Sequence, residues 1–325
     1  MIQVKDIHSE IESVWLNGTY KTMSTGSHQL DTKLKLIKGF PWFIGGQPHH
    51  GKTEVVMELM LKWSIMYGWK HYCYFGEGGN VESIVADLCH KYVGKSFRKN
   101  SQYGMNDAER YDALEFIGNH FYFSNPEQNL SYDRWLKEVD EAERLFRVKF
   151  DTTLIDPFND LEYDLGKYPN ITYWLKDVLK DVRNSSKRNN RNDILVVHVG
   201  ETQIVTDKST GNQYQPPALP SQWEGGKIWN RRAFVQLNVW RNLEGQTQII
   251  VNKAKPKEAK VYGDGDKVLW AWDWKRNRYK EDRNGYFRDV LTIDEPDYNP
   301  HKGITNLNGL HRGGYAEQPE EEPPF

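Results

Sequence analysis

The eight residues from Gly46 to Thr53, GQPHHGKT, have the types and spacing needed to bind the phosphates of a nucleotide. They match the pattern G-x-x-x-x-G-K-[ST], in which glycines let backbone N–H groups approach the phosphate oxygens. In this pattern Lys52 reaches the β- and γ-phosphates, and the Thr53 hydroxyl ligates Mg²⁺. We therefore predict that ATP and Mg²⁺ bind here. The predicted nucleotide-binding residues are Gly46, Gln47, Pro48, His49, His50, Gly51, Lys52, Thr53 and Glu54.

A carboxylate is needed to hold the metal ion through water, and Asp156 has a suitable position. It ends the apolar run 152–155, TTLI, and the carboxyl ends of parallel strands meet at the edge where phosphates bind. By itself an Asp at this place would more often cap a helix or a turn, but the nearby phosphate-binding pattern favours the metal role. Pro157 follows, where many nucleotide hydrolases have a catalytic Glu. The residue that activates water is therefore expected on another strand.

Two further polar residues end apolar runs and are candidates for catalysis. Glu77 follows the run 72–75, YCYF, and Gly76, so it is placed to accept a proton from an attacking water. His198 ends the run 194–197, ILVV, and is placed to donate a hydrogen bond to the γ-phosphate. The alternatives are a solvated loop acid and a histidine satisfied within the core. Three polar residues at three strand ends favour one shared site.

The elements that must position these residues alternate between strands and helices. The phosphate-binding pattern follows the apolar burst Trp42–Ile44 and precedes a predicted helix over 53–67, which Gly68 ends. Further strands are predicted at 71–75, 121–123, 152–155 and 194–199, and further helices at 7–15, 81–92, 133–146 and 171–184. Residues 19–39 are polar and irregular. Beyond residue 230 the runs 235–240, 248–251 and 268–274 predict added strands, partly antiparallel. We predict an α/β fold with a mostly parallel sheet and helices on both faces.

Composition excludes several classes of protein. The 325 residues include 43 Lys and Arg and 45 Asp and Glu, so the net charge of −2 excludes a uniformly basic nucleic-acid coat. No run approaches the roughly 18 apolar residues that cross a bilayer, so we expect no membrane contact. The first residues, MIQVKDIHSEIE, lack the features of a secretory signal, and a cytoplasmic location is expected, in a host cell if the protein is viral. Cys73 and Cys89 are expected as buried free thiols.

Taken together, these motifs resemble the RecA-like motor domain of DnaB- and Twinkle-type hexameric replicative helicases, including those of bacteriophages. The likeness spans roughly residues 20–280. The run 24–31, STGSHQLD, is similar to a "TGF…LD" run before the first strand of that family, and 223–226, WEGG, followed by 228–240, is similar to its "D-L-R-G-S-G-A-L" stretch. The resemblance implies a RecA-like P-loop NTPase domain over 21–292. Apolar residues at helical spacing predict an amphipathic docking helix within 1–20, and a composition rich in Pro, Gly, Asn and Glu predicts a disordered acidic tail over 293–325.

The resemblance also implies that ATP is hydrolysed between subunits of a homo-hexameric ring. In the family a Lys-x-Arg pair at the end of a late strand reaches the neighbour's ATP. Here Lys253 and Lys255 take these places, and lysine replaces the arginine. A guanidinium grips phosphate oxygens with two hydrogen bonds, whereas an ammonium acts as a point charge. Either Lys255 serves less well, or Arg276 or Arg278 substitutes, or hydrolysis is slow; a solvated basic turn is the remaining alternative.

Single-stranded DNA is the polymer that the resemblance implies, contacted by loops after Asp156 and after His198. The second loop contains Lys208, Asn212 and Tyr214, which suit phosphate contacts and stacking. The segment 320–325, EEEPPF, is similar to acidic, Phe-ended tips that bind replication partners, so a polymerase, a primase or a single-stranded DNA-binding protein is a candidate partner. A merely solubilising tail is the alternative.

Two other functions remain open at the level of sequence. One is another RecA-like ATPase, such as a recombinase-type filament. The other is a non-motor accessory protein of DNA replication that binds ATP as a loader or scaffold, which the lysine at position 255 favours.

Overall fold

The structure is a computed structural model that describes residues 3–200, 202–208, 211–261 and 267–292. Its helices are α1 (His8–Asn17), α2 (His28–Asp31), α3 (Lys52–Tyr67), α4 (Val81–Val93), α5 (Asp107–His120), α6 (Tyr132–Phe146), α7 (Ile171–Asn189) and α8 (Ile228–Arg232). Its strands are β1 (Trp42–Gly46), β2 (His71–Phe75), β3 (Phe121–Phe123), β4 (Thr152–Asp156), β5 (Asn192–His198), β6 (Val205–Thr206), β7 (Gln213–Tyr214), β8 (Val235–Arg241), β9 (Thr247–Lys253), β10 (Lys267–Asp273), β11 (Arg278–Arg283) and β12 (Tyr286–Asp289). The described residues up to Leu291 belong to one compact unit.

A large mixed sheet organises the fold. Its strand order is β12-β11-β10-β9-β8-β1-β5-β4-β2-β3, with parallel pairing from β8 through to β3 and antiparallel pairing from β8 through to β12. A separate antiparallel hairpin joins β6 and β7. The predicted α/β fold with added C-terminal antiparallel strands is confirmed. Because β1, β2, β4, β5 and β8 run parallel, their carboxyl ends lie along one edge.

Helices cover both faces of the sheet because side chains alternate along each strand. Trp42 of β1 packs edge-on against Trp63 of α3, with ring centroids 5.5 Å apart. The next residue, Phe43, packs edge-on against Trp229 of α8 at 5.2 Å. All four rings are buried. The phosphate-binding segment between β1 and α3 is therefore held by packing on both faces.

A buried ionic cluster ties α3 and α4 to the antiparallel strands. The Lys91 ammonium is fully buried, lies 2.7 Å from the Glu54 carboxylate and 3.2 Å from the Glu58 carboxylate, and donates to the Asn277 carbonyl at 2.9 Å. Glu58 in turn accepts from the backbone N–H of Tyr279 in β11. The helix that follows the phosphate-binding loop is thus fixed to the far part of the sheet.

Some elements differ from the sequence-based expectation. The helix predicted at 7–15 is a 3₁₀ turn over Val4–Ile7 followed by α1, and none of their residues is buried. The segment 19–39 contains α2 and three fully buried leucines, Leu30, Leu34 and Leu36. Helix α5 was not predicted because only Ala113 and Ile117 of its residues are buried, which leaves little apolar periodicity to detect. The hairpin β6–β7, helix α8 and strands β11 and β12 also lay outside the prediction. Cys73 and Cys89 are buried free thiols, as expected.

The predicted tail, residues 293–325, lies outside the described residues. Among the described residues, no helix combines the length and the apolar character that a bilayer crossing requires.

Candidate nucleotide-binding site

The loop between β1 and α3 has the backbone geometry that a phosphate-binding loop requires. Gly51 precedes the first turn of α3 and has a left-handed backbone, with φ at +87°. A Cβ atom on Gly46 would lie 2.2 Å from the Val239 carbonyl oxygen of β8, so only glycine allows the two strands to approach this closely. The first N–H groups of a helix have no helical partners, so the start of α3, directly after this loop, is suited to binding an anion.

Lys52 is the cation of this loop. Its side chain is buried, and its ammonium donates to the backbone carbonyl of Gln47 at 3.0 Å. Burial lowers the pKa of Lys52, while the nearby carboxylates of Asp156 and Glu77 oppose this shift. An anionic phosphate would be a stronger partner for the ammonium than a neutral carbonyl.

Thr53 and Asp156 are brought together from two elements, as predicted from their positions. The Thr53 hydroxyl donates to the Asp156 carboxylate at 2.7 Å. Burial raises the pKa of Asp156 from 3.8 to about 6, and the acids Glu77 and Asp160 add to this shift. Thr53 and Lys52 oppose it. A buried carboxylate beside a hydroxyl, with two further acids nearby, is an environment in which a divalent cation can be held.

Glu77 and His198 also meet, from the ends of β2 and β5. Their side chains lie 3.5 Å apart, between His198 Nε2 and Glu77 Oε2. The backbone N–H of His198 donates to the Asn159 side-chain oxygen at 2.8 Å, which fixes the end of β5. Asp160 lies near this pair, and burial together with the Glu77 charge raises its pKa. Sequence reasoning missed Asp160; its only signal was an acid four residues after Asp156.

Lys52, Thr53, Asp156, Glu77 and His198 line one cleft of about 690 Å³ at the carboxyl edge of the parallel strands. The cleft is lined by Pro48, His49, Gly51, Lys52, Thr53, Glu54, Phe75, Glu77, Gly78, Asp156, His198 and Arg241. Arg241 was not predicted, although it ends the parallel strand β8 and the strand-end argument used for Asp156 applies to it. Its backbone N–H donates to His50 Nδ1 at 2.9 Å. Burial, with the Arg241 charge next, lowers the pKa of His50.

Gln47 and Glu54 have partners that the motif alone does not indicate. The Gln47 amide does not line the cleft; it donates to the Thr202 hydroxyl at 3.0 Å and to the Pro216 carbonyl at 2.7 Å. Glu54 lines the cleft and is paired with the buried Lys91.

The two lysines that resemble a trans-acting pair lie away from this cleft. Strand β9 runs antiparallel to β8, so Thr247 is opposite Arg241 and Lys253 is opposite Gln236, at the other end of the strand. The Lys253 ammonium donates to the Asn230 carbonyl of α8. Lys255 follows two residues later. Neither lysine can reach the phosphate loop of its own chain.

The alternative that Arg278 substitutes for the missing arginine is wrong. Its guanidinium is buried and donates to the carbonyls of Lys91 and Tyr92 and to the Asp289 carboxylate. Arg276 is paired with Asp273 and Asp289 at 3.9 and 3.6 Å. Because Arg278 of β11 donates to the carbonyls at the end of α4, it stabilises the junction between these two elements.

The predicted DNA-contacting residues lie on and beside the hairpin β6–β7. Lys208 and Asn212 are exposed, and the ring of Tyr214 is half-buried, 6.2 Å from that of Trp240. In the loop after Asp156, Tyr163 stacks on Trp174 with centroids 4.9 Å apart. That loop is consequently ordered by aromatic packing.

Comparison with solved structures identifies the fold. The chain matches a solved ATPase domain with a TM-score of 0.64 and 15% identity, over 85% of this chain and 98% of that one. It also matches a DnaB-like replicative helicase, whose structure describes its interactions with primase, with a TM-score of 0.60 and 15% identity, over 85% of this chain and 66% of that one. No protein-family model matches the sequence, and no curated protein matches it. The chain therefore has the RecA-like fold of the ATPase domains of DnaB-type replicative helicases.

Proposed function

We propose that the protein is an ATP-dependent replicative DNA helicase, a ring-forming motor that translocates on single-stranded DNA. The observation that supports this most strongly is the meeting of Lys52, the Thr53–Asp156 pair and the Glu77–His198 pair in one cleft. Within a DnaB-type fold, these groups supply a phosphate cation, oxygen ligands for a metal and a base for water.

Five side chains of the cleft, those of Lys52, Thr53, Asp156, Glu77 and His198, have proposed roles in ATP hydrolysis. Lys52 would exchange the Gln47 carbonyl for phosphate oxygens, and Thr53 and Asp156 are the residues that would hold Mg²⁺. The Mg²⁺ ion, when bound, neutralises charge on the phosphates and orients them. Glu77 accepts the proton of the attacking water, because its carboxylate lines the cleft beside His198 and its side chain, 60% exposed, can be reached by water. His198 donates to the γ-phosphate and holds Glu77 in position.

A ring would complete the site between subunits. Lys253 and Lys255 lie at the opposite end of the strands from the cleft, so any contact that they make with ATP is with the ATP of a neighbouring copy. Helix α1 exposes Ile11, Val14 and Trp15, the last with 80% of its surface accessible, and has no buried residue. We propose that residues 1–20 dock on an adjacent subunit and that 21–292 form the motor. Removal of residues 1–18 should then give a folded monomer; a truncated protein that still sediments as a ring would refute the docking.

DNA would contact the motor through the hairpin β6–β7, with Lys208 and Asn212 at phosphates and Tyr214 at a base. The acidic segment within 293–325 is proposed to bind a replication partner such as a polymerase, a primase or a single-stranded DNA-binding protein.

The direct test is steady-state ATP hydrolysis with and without single-stranded DNA. The wild-type rate should rise severalfold with DNA, and both Lys52→Ala and Glu77→Gln should lower kcat by at least about 10²-fold. Glu82→Gln is the matched control, because Glu82 is an exposed acid of α4 that does not line the cleft. Hydrolysis that does not respond to DNA would refute the motor.

A second candidate follows from the lysine at position 255. If that ammonium cannot replace a guanidinium in trans, ATP would bind tightly but hydrolyse slowly, as a loader or scaffold requires. Tight ATP binding with negligible hydrolysis, unchanged by DNA, would favour this function. A recombinase-type filament would instead be recognised by open helical assemblies in electron micrographs.

A further inference from the structure

Three side chains at the nucleotide edge hold the segment that contains the hairpin β6–β7. Gln47 of the phosphate loop donates to the Pro216 carbonyl at 2.7 Å. Asn238 of β8 donates to the Ala218 carbonyl at 2.9 Å, and Trp240 of β8 donates to the Gln215 carbonyl at 2.8 Å. All three acceptors are backbone carbonyls directly after β7. The position of the hairpin is consequently set by the strands that form the cleft.

Gln47 is the one of these three donors that belongs to the phosphate loop itself. Its side chain is 3% exposed, and the amide nitrogen also contacts the Thr202 hydroxyl at 3.0 Å, so it holds the chain both before β6 and after β7. The amide orientation is determined, because the Pro216 carbonyl can only accept. The Gln47 Oε1 atom is buried and has no hydrogen-bond partner within the described part of the chain. Rotation of the side-chain amide therefore cannot replace a lost donor, because it would turn Oε1 toward the Pro216 carbonyl, which can only accept.

The backbone of the same residue contacts the phosphate-binding cation. The Lys52 ammonium donates to the Gln47 carbonyl oxygen at 3.0 Å. A phosphate that draws Lys52 to itself removes this hydrogen bond from the residue whose side chain holds the hairpin. One residue thus has its carbonyl in the nucleotide site and its amide in the segment beyond it.

We propose that Gln47 is a positioning residue that transmits the nucleotide state of the phosphate loop to the β6–β7 hairpin. The proposal rests on the proposed function only in assigning DNA to that hairpin. The link between nucleotide and hairpin is a property of the protein without DNA. It is therefore tested separately.

The experiment is hydrogen–deuterium exchange of the full chain with and without Mg²⁺ and a saturating, non-hydrolysable ATP analogue. The isosteric Gln47→Glu replaces the amide donor with an oxygen that faces the Pro216 carbonyl, so that hydrogen bond is lost and two acceptors repel each other, while the Thr202 hydroxyl can still donate to the carboxylate. Gln222→Glu is the matched control: it makes the same change nearby, but its side-chain oxygen accepts from the Leu219 N–H and a carboxylate still accepts. Occupancy is followed by protection of the first turn of α3.

We expect the analogue to change exchange in wild-type peptides that contain β6 and β7, and in the Gln222→Glu control. In Gln47→Glu this change should shrink by about fivefold or more, the size that one net hydrogen bond controls. Thr202→Val, which removes one of the two contacts, should give a smaller loss and serves if Gln47→Glu does not fold. An equal change in wild type and Gln47→Glu, or no change in wild type, would overturn the proposal.

A second arm measures stimulation of ATP hydrolysis by single-stranded DNA. Gln47→Glu should lower the ratio of stimulated to unstimulated rates, whereas Gln222→Glu should retain it. A wild type without stimulation would refute the proposed function and leave the exchange result standing. If single-stranded DNA stimulated wild type and Gln47→Glu equally, the proposed role of Gln47 would be refuted, while the proposed function would stand.

Discussion

The charge of Asp156 should cost the protein stability in the absence of ligands. Burial raises the pKa of this carboxyl from 3.8 to about 6. At pH 7 the folded chain therefore holds a carboxylate in surroundings that favour the neutral acid by about 2 pKa units, or about 3 kcal/mol. Asp156→Asn keeps the acceptor for the Thr53 hydroxyl and removes the charge. We expect it to increase the free energy of unfolding at pH 7 by up to about 3 kcal/mol.

The pH dependence of this difference has a defined sign. Between pH 3.8 and about 6 the folded state binds more protons at Asp156 than the unfolded state, so wild-type stability falls as the pH rises through this window. The stability difference between the variant and wild type should grow over the same window and vanish below it. Mg²⁺ with an ATP analogue should reverse the order at pH 7, because only wild type retains the carboxylate that holds the metal.

Urea unfolding at several pH values, with and without Mg²⁺ and the analogue, measures these differences. Asp140→Asn is the matched control, because Asp140 is exposed on α6 and its loss should change stability by no more than about 0.5 kcal/mol. An Asp156→Asn protein that is less stable than wild type without ligand, or a difference independent of pH, would refute this account of the site.

Three further changes have expected outcomes. Lys91→Met leaves the Glu58 carboxylate buried without its cation and should lower stability by about 3–5 kcal/mol in urea unfolding, whereas Lys95→Met, at a partly exposed pair, should cost about 1 kcal/mol or less; equal losses would contradict the buried cluster. Gly46→Ala places a methyl group against a β8 carbonyl and should abolish binding of a fluorescent ATP analogue at micromolar concentration; retained binding would show that the loop can move. Lys255→Arg should raise kcat for ATP about tenfold or more if this position serves a neighbouring subunit, and an unchanged kcat in assembled protein would exclude that role.

The parallel sheet made much of the site predictable. Asp156, Glu77 and His198 are far apart in sequence, but each ends an apolar run, and parallel strands bring their ends to one edge. The same rule applies to Arg241, which was overlooked because the later strands were expected to be partly antiparallel and the run 235–240 was not assigned to the parallel part; β8 pairs in parallel with β1.

Other features depend on side-chain direction, which a motif does not determine. The phosphate-loop pattern gives the position of Gln47 but not that its amide faces away from the cleft, toward Thr202 and Pro216. In the same way, the basic run 275–280 contains one guanidinium that is buried against α4, which no spacing rule indicates. Such contacts join segments about 150 or more residues apart, beyond the reach of local periodicity.

The central claim is that ATP hydrolysis in this cleft drives movement along single-stranded DNA. Displacement of a labelled strand from a forked duplex tests it most directly, with wild type, Glu77→Gln and the Glu82→Gln control. Wild type and the control should release the strand only with Mg²⁺ and hydrolysable ATP, and Glu77→Gln should release none. A wild type that hydrolyses ATP but releases no strand, or a Glu77→Gln protein that releases it at the wild-type rate, would contradict the claim.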